Sequence, residues 1–345
     1  MPPGPAAPFE IVLTVAPGFN LAATMAFLDP FRAANYLQGV QGFRWEMLSA
    51  EGGAVRASNA VEVTTGPLGE ALAQRASDWT PGLAIVSTSW APENAYGGPL
   101  GAVLRRWARH GAMLGGLDTG AFVLAEAGLL EGRRATVHYE HIDAFAELYP
   151  DILVSEDLYV IDEDRMTCCG GTAALDLALQ VIRRVQGVAP ANAAARYVFH
   201  DRLRPAGTHQ IPRAAEPTGA TAPAKLRAAI RAMEAQLEEP AGIPAIAEAA
   251  GVSQRQLERL FRTHVGRSPL RYYADIRLDR ARGLVTQTEM ALREVALACG
   301  FANPETFSRA YRARFGLSPR SDRVEGRVPF EFRAWPMYTP DRTLR

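Results

Sequence analysis

The sequence predicts an α/β domain with a largely parallel sheet, followed by an all-α domain carrying two helix-turn-helix motifs. Three features carry this reading. Short β-rich runs alternate with helical runs over 10–200, prolines break the pattern at 204–224, and an internal repeat of about 50 residues fills 225–323. At roughly 150 residues per domain, a chain of 345 residues has room for two.

In the first region the β-rich runs are Glu10–Val15, Arg44–Ser49, Leu83–Ser87, Ala112–Gly116, Arg134–Val137, Tyr159–Asp162 and Met166–Cys169. Helical patterns separate them at Leu21–Leu37, Gly97–His110, Gly120–Ala127, Ile142–Leu148 and Ala173–Val185. Strand and helix in alternation imply crossover units and parallel pairing. Pro205, Pro212, Pro217 and Pro223 stand among Ala, Gly and Thr with no apolar period, so 204–224 reads as a linker between a domain at 1–203 and one at 225–323. An aromatic tail, 324–345, follows without a predicted structure.

The repeat is explicit. Gly251 matches Gly300 at an offset of 49, and Leu257/Phe307, Arg259/Arg309, Phe261/Tyr311, Gly266/Gly316 and Pro269/Pro319 match at 50. Each copy has an apolar helix (Ile243–Ala250; Leu292–Cys299), a Gly turn and a second helix, which is the helix-turn-helix order. In that motif the second helix enters the major groove. Copy one turns Gln254, Arg255, Glu258, Arg259 and Arg262 outward, and copy two turns out Asn303, Pro304, Glu305, Ser308, Arg309 and Arg312. Arg suits guanine O6/N7 and Gln suits adenine N6/N7. Arg255 and Arg259 are the expected base readers, with Arg262, Arg309 and Arg312 as phosphate or base contacts. A helix over Ser268–Gln287 would hold the copies about 30 Å apart, close to one turn of duplex.

Charge agrees with this division of labour. The formal net charge is zero overall, but it is −8 over 1–200 and +7 over 221–345, so the basic half is the one expected to face a polyanion. No stretch reaches the ~18 apolar residues of a membrane span. The apolar run Ile11–Val15 ends at Pro17-Gly18 with no cationic segment before it, and three cysteines make no disulfide framework. These features predict a cytoplasmic protein without a membrane partner.

Within the first domain, Gly116-Leu117-Asp118-Thr119-Gly120 has the shape of a nucleophile elbow, a strained strand-to-helix corner with small flanks that makes the central side chain protrude. Asp118 stands where a nucleophile would. The N-terminus of the following helix favours its carboxylate, so it is expected to stay ionised and to serve as an anchor for a cation. Trp90, Tyr139 and Glu140 supply the aromatic faces and second acid that a quaternary ammonium or guanidinium head needs, with Thr119 and His138 beside them. Cys168 and Cys169, in an apolar run before Gly170-Gly171, read as buried structural thiols. His138, Glu140 and His141 lack a fourth donor, and neither a metal nor a cofactor is expected.

Residues 225–323 resemble the DNA-binding domain of AraC-type transcription activators. The likeness rests on Ile246–Ser253, Gly266–Tyr273, Arg277–Arg282, Val295–Phe301 and Phe307–Gly316, and Pro304 departs from it early in the second recognition helix. The elbow, together with Thr136–His141 and Thr167–Leu177, resembles the DJ-1/PfpI, or class I glutamine-amidotransferase-like, family. That likeness implies a flavodoxin-like α/β sensor domain. The combination resembles AraC regulators that respond to arginine or to quaternary ammonium compounds such as glycine betaine and carnitine. It implies a transcriptional regulator, expected to be an activator, with double-stranded DNA and a small-molecule effector as partners. A homodimer formed through the first domain is expected, and an activator would also meet RNA polymerase. The enzymes of the fold carry Cys at the elbow, so Asp118 speaks against the alternative, an amidase or hydrolase fused to a DNA-binding module.

Overall fold

The computed structural model describes residues 7–89, 92–95, 99–200, 203–210 and 223–325. These form two compact units that meet in the chain between Gln210 and Ile211.

The first unit runs β1 (Phe9–Val15), α1 (Leu21–Gln38), β2 (Phe43–Ser49), β3 (Gly53–Arg56), β4 (Glu62–Pro67), α2 (Leu68–Ala73), β5 (Leu83–Thr88), α3 (Leu100–Arg109) and β6 (Met113–Asp118). It continues with α4 (Gly120–Glu126), β7 (Arg134–Ala135), α5 (Ile142–Leu148), β8 (Leu153–Val154), β9 (Tyr159–Asp162), β10 (Arg165–Cys168), α6 (Ala173–Gln186) and α7 (Val188–Tyr197). Eight strands form one sheet in the order β3-β4-β2-β1-β5-β6-β10-β9. The pairs from β4 to β10 are parallel and both edge pairs antiparallel. Strand β1 shows why the interior pairs are parallel. Ile11 and Leu13 enter one core with Phe27 and Phe31 of α1 and Leu177 of α6, whereas Val12 enters the other with Trp107 of α3 and Phe122 of α4. A strand buried on both faces is apolar throughout, and it needs helices above and below.

Two sequence expectations change here. The run Arg134–Val137 contributes only the two residues of β7, because the Thr136 N–H donates to Thr167 Oγ1 (2.8 Å) and leaves the ladder. The predicted linker at 204–224 begins inside the first unit. Buried Asp176 takes the Arg204 N–H (2.8 Å) and its guanidinium (2.7 Å), Asp157 bridges to His209, and the buried Gln210 side chain donates to Val137 O at 2.8 Å. Prolines and glycines mark loops, but they do not tell whether a loop packs.

The second unit is helical among its described residues: α8 (Ala224–Glu234), α9 (Ile243–Ala249), α10 (Gln254–His264), α11 (Pro269–Gln287), α12 (Leu292–Ala298), α13 (Pro304–Phe315) and α14 (Pro319–Glu325). It has two cores, one for each repeat. Leu226, Ile230, Ile246, Leu257 and Phe261 build the first, and Leu284, Val295, Phe307 and Tyr311 build the second. Helix α11 serves both, with Tyr272 and Ile276 in the first core and Leu278 and Leu284 in the second. Ser253 starts α10 with a reciprocal capping box to Gln256, and Pro304 takes the first turn of α13, where its missing N–H costs nothing.

Candidate functional site

The corner between β6 and α4 is a strained elbow. Asp118 sits at φ +60°, a left-handed conformation that a residue with a side chain rarely adopts. Its neighbours must be Gly. A Cβ on Gly116 would lie 2.5 Å from the Ala121 nitrogen, and one on Gly120 would strike the Val86 carbonyl oxygen more closely still. The carboxyl is thereby held at the C-terminal end of the sheet. Strand β1 is the switch point there, since β2 lies on one side of it and β5 on the other, and open α/β sheets place ligands at such ends.

Two side chains that sequence reasoning missed complete the setting. Asn20 caps α1 by accepting from the Ala23 N–H, and its Nδ2 donates to Asp118 Oδ2 at 2.7 Å. Ser89, just past β5, donates to the same oxygen at 3.3 Å. Neither bond uses Oδ1. The loops after β1, β5 and β6 converge on one carboxyl although 98 residues separate Asn20 from Asp118. No local motif announces that meeting; its only signal is that each residue follows the end of a predicted strand.

Burial governs the charge of this group. Asp118 is 4% exposed, and desolvation pushes its pKa above the usual 3.8. His138 and the donors Asn20 and Ser89 pull it back, and Glu140 pushes it up again. Burial therefore opposes the helix N-terminus that was expected to favour the carboxylate, and the net direction is upward. His138 and Glu140 thus lie within electrostatic reach of Asp118.

The other predicted pocket residues divide. Thr119 is fully buried, donates to the Ser89 carbonyl and shares a 2.9 Å hydroxyl contact with Thr88, so it braces Ser89. His138, Tyr139 and Glu140 form a partly exposed turn, with the Tyr139 ring 4.5 Å from the His138 ring. Donor atoms of His138, Glu140 and His141 lie within 4.8 Å of one another, so the turn gathers three groups of metal-ligating type. Trp90 lies outside the described residues. Cys168 and Cys169 are buried free thiols, and burial raises the Cys168 pKa well above its ordinary value, which leaves it unsuited to act as a thiolate.

In the second unit, Gln254, Arg255, Arg259 and Arg262 are exposed on α10, with Glu258 half-buried. On α13, Pro304, Glu305, Ser308, Arg309 and Arg312 are exposed. Asn303 is exposed as well, but its Oδ1 caps α13 by accepting from the Glu305 (2.8 Å) and Thr306 (3.4 Å) N–H groups. That bond is its structural role, and only its amide group is left to face a duplex. Two sets of arginines stand out. Arg267, Arg282 and Arg314 are bound to Asp275, Asp322 and Asp279, and Arg277 and Arg323 to backbone carbonyls. Arg255, Arg259, Arg262, Arg309 and Arg312 have no ion pair among the described residues and stand exposed on the second helix of each motif. Uncompensated guanidinium groups on recognition helices are what a duplex requires.

Comparison with known proteins agrees with both halves. Residues 11–184 match the DJ-1/PfpI family, and residues 246–324 match a helix-turn-helix domain. The HTH-type transcriptional regulator CdhR of Pseudomonas aeruginosa is 42% identical over 308 residues, 89% of this chain and 89% of that protein. The HTH-type transcriptional regulator GlxA of Rhizobium meliloti is 35% identical over 303 residues, 88% of this chain and 92% of that one. A crystal structure of an AraC family transcriptional regulator from Pseudomonas putida, 25% identical, covers 55% of this chain and all of its own with a TM-score of 0.50. No described helix is long and apolar enough to cross a membrane. This chain is a DNA-binding transcription regulator and belongs to the HTH-type regulators that join a DJ-1/PfpI domain to an AraC-type helix-turn-helix domain.

Proposed function

We propose that the first unit is a dimerising sensor for a small cationic or zwitterionic nitrogenous metabolite, such as a quaternary ammonium compound or arginine. In this reading the chain is a cytoplasmic activator that meets RNA polymerase once its ligand is bound, and it has no enzymatic activity. One observation supports it most. A strained elbow holds a carboxyl, and not a thiol, at the ligand-binding end of the sheet, with both its hydrogen bonds on one oxygen. A carboxylate there is a poor nucleophile and a good counter-ion. Tyr139 and Trp90 would supply aromatic faces for the cation, with His138 and Glu140 beside it. On the DNA side, Arg255 and Arg259 read bases, and Arg262, Arg309 and Arg312 contact phosphates or bases.

The signal has a route within the first unit. Gln210, the last described residue before the linker, is bound to the carbonyl of Val137, and His138 follows it. A ligand that moves the His138 turn also moves the start of the linker, and its differential affinity for two linker positions provides the switch.

The test is a thermal-shift scan of the full chain against glycine betaine, dimethylglycine, carnitine, choline and arginine. A ligand at about 100 times its Kd stabilises by about 2.7 kcal/mol. The expected result is a selective shift that disappears in Asp118→Asn. If no compound shifts the wild type, the effector class is wrong; if Asp118→Asn keeps the shift, the site is wrong.

A further inference from the structure

After β7 the chain leaves the sheet and turns. His138 is extended (φ −53°, ψ 138°), and Tyr139–His141 form a single 3₁₀ turn, closed by the His141 N–H on the His138 carbonyl at 2.8 Å. Side chains three apart come to one side of such a turn, which brings the imidazoles of His138 and His141 together. Their ring centres are 6.2 Å apart. Each ring is seated by a neighbour: His138 lies 4.5 Å from the Tyr139 ring, and His141 meets Phe122 of α4 edge-on at 6.1 Å.

The Glu140 carboxylate returns to the same side. Its Oε2 is 3.8 Å from His138 Nδ1, too far for a hydrogen bond. One donor atom from each of the three residues lies within 4.8 Å of the others, and no other trio of His, Cys, Asp or Glu among the described residues is so gathered. Shaping the turn does not account for the trio. The His138 ring accepts from the Glu140 N–H at 3.5 Å, the outer limit of such a bond, and a turn already closed through its backbone needs neither a second imidazole nor a carboxylate.

Two imidazole nitrogens and one carboxylate oxygen are a donor set of the zinc type, whereas magnesium and calcium take oxygen ligands. The sequence shows no fourth donor, but zinc sites that keep one position for water are complete with three protein ligands, His₂Glu among them. Bonds of about 2.0–2.2 Å draw the donors closer than they stand. The His138 and Glu140 side chains, 32% and 46% exposed, have room to turn and close that distance.

The geometry points to a site for a divalent transition-metal ion of the zinc class, held by His138, Glu140 and His141 on the turn after β7. This goes beyond the sensor reading, because the ion binds with no metabolite present.

The experiment strips the full chain with a chelator and titrates in Co²⁺ alone, followed by visible absorption and calorimetry. One Co²⁺ per chain is expected, with the visible bands of a four-coordinate ion, displaced by Zn²⁺ and indifferent to an excess of Mg²⁺. Loss of a group that merely supports a metal ligand costs about 10–100-fold in affinity, so His141→Ala and Glu140→Gln, which remove ligands, should each weaken binding by at least about a hundredfold. Glu140→Gln changes an exposed side chain without changing its size and should keep the melting temperature of the metal-free chain, which separates a lost ligand from a lost fold. His110→Ala removes an exposed imidazole elsewhere and should leave binding unchanged. A stripped chain that takes up no Co²⁺ would overturn the site. So would binding that survives both ligand variants, binding that falls as far in His110→Ala, or an intense sulfur-to-cobalt band that assigns the ion to the cysteines. None of these results bears on the metabolite scan, which tests the sensor reading by itself.

Discussion

Gln210 donates from its side-chain amide to the carbonyl of Val137 at 2.8 Å, so the chain leaves the first unit tied to the residue before His138. The same amide reaches Thr136 Oγ1 at 3.1 Å and the Asp157 carbonyl at 3.3 Å. Gln210 is therefore fixed to the residue that precedes His138.

Gln210→Ala removes this tie while leaving every pocket side chain in place. Loss of the buried bonds should lower stability by about 1–2 kcal/mol. The effector-induced thermal shift is expected to survive, and the effector-dependent change in DNA affinity or transcription to be lost. A full transcriptional response in the variant would show that the signal leaves the unit by another path.

Under the proposed sensor role, ligand binding depends on the protonation of Asp118. Its folded pKa lies above the usual 3.8 because burial disfavours the charge. Its contribution to stability is thus greatest below 3.8 and is lost as pH rises through the folded value. Asp118→Asn removes that loss, keeps an oxygen for Asn20 and Ser89, and should melt at a higher temperature than the wild type at neutral pH. A cationic ligand needs the ionised form, so its affinity in the wild type should climb as pH rises through the same transition. Calorimetric titration at a series of pH values above 3.8 checks this, and a flat profile would mean that the carboxyl does not meet the cation.

The sheet and both helix-turn-helix units were legible because their signals are local. Strands buried on both faces, such as Glu10–Val15 and Leu83–Ser87, are continuous apolar runs, and the repeat shows its own period. The hairpin of β3 and β4 was not read. Arg56 and Glu62 face each other at its turn end, and a short polar edge strand resembles a loop in composition. Helix α7 also escaped, since Val188-Ala-Pro-Ala-Asn-Ala-Ala-Ala is too short and too uniform to show a period. At the site, the elbow was readable from its glycines, but Asn20, Ser89 and Gln210 were not. Their roles come from contacts across 98, 29 and 73 positions of sequence, which only the folded sheet supplies.

In the second unit, Asp275 of α11 is 4% exposed by its side chain and receives Arg267 from the end of the first motif. On its other oxygen it receives Arg314 of α13 at 3.0 Å. One buried carboxylate thus ties both motifs to the connecting helix. Asp275→Asn should cost about 1–3 kcal/mol of stability, since Arg314 keeps Asp279 and Arg267 is half in water. Its larger effect is expected on DNA: affinity for a single half-site is retained, whereas the preference for two half-sites one turn apart is weakened. Binding assays on operators of altered spacing measure this, and unchanged spacing preference would remove Asp275 from the geometry.

The proposed roles of the exposed arginines separate base reading from phosphate holding. Arg255 stands in the first turn of α10, the end of a recognition helix that reaches base edges, whereas Arg312 lies in the last turn of α13, away from that end. Neither has an ion pair to lose, so Ala at either position should leave the melting temperature nearly unchanged and any effect on DNA is direct. Arg255→Ala is expected to weaken binding to the preferred operator by about 1–3 kcal/mol and to relax the preference at one base pair. Arg312→Ala is expected to weaken all sequences alike and to reduce the slope of log K against log salt by about one. Titrations at several salt concentrations, on the operator and on a scrambled duplex, distinguish the two. Were Arg255→Ala to change the salt slope and leave sequence preference untouched, the roles assigned along the helices would have to be exchanged, and the N-terminal end of α10 would lie over the backbone and not over the bases.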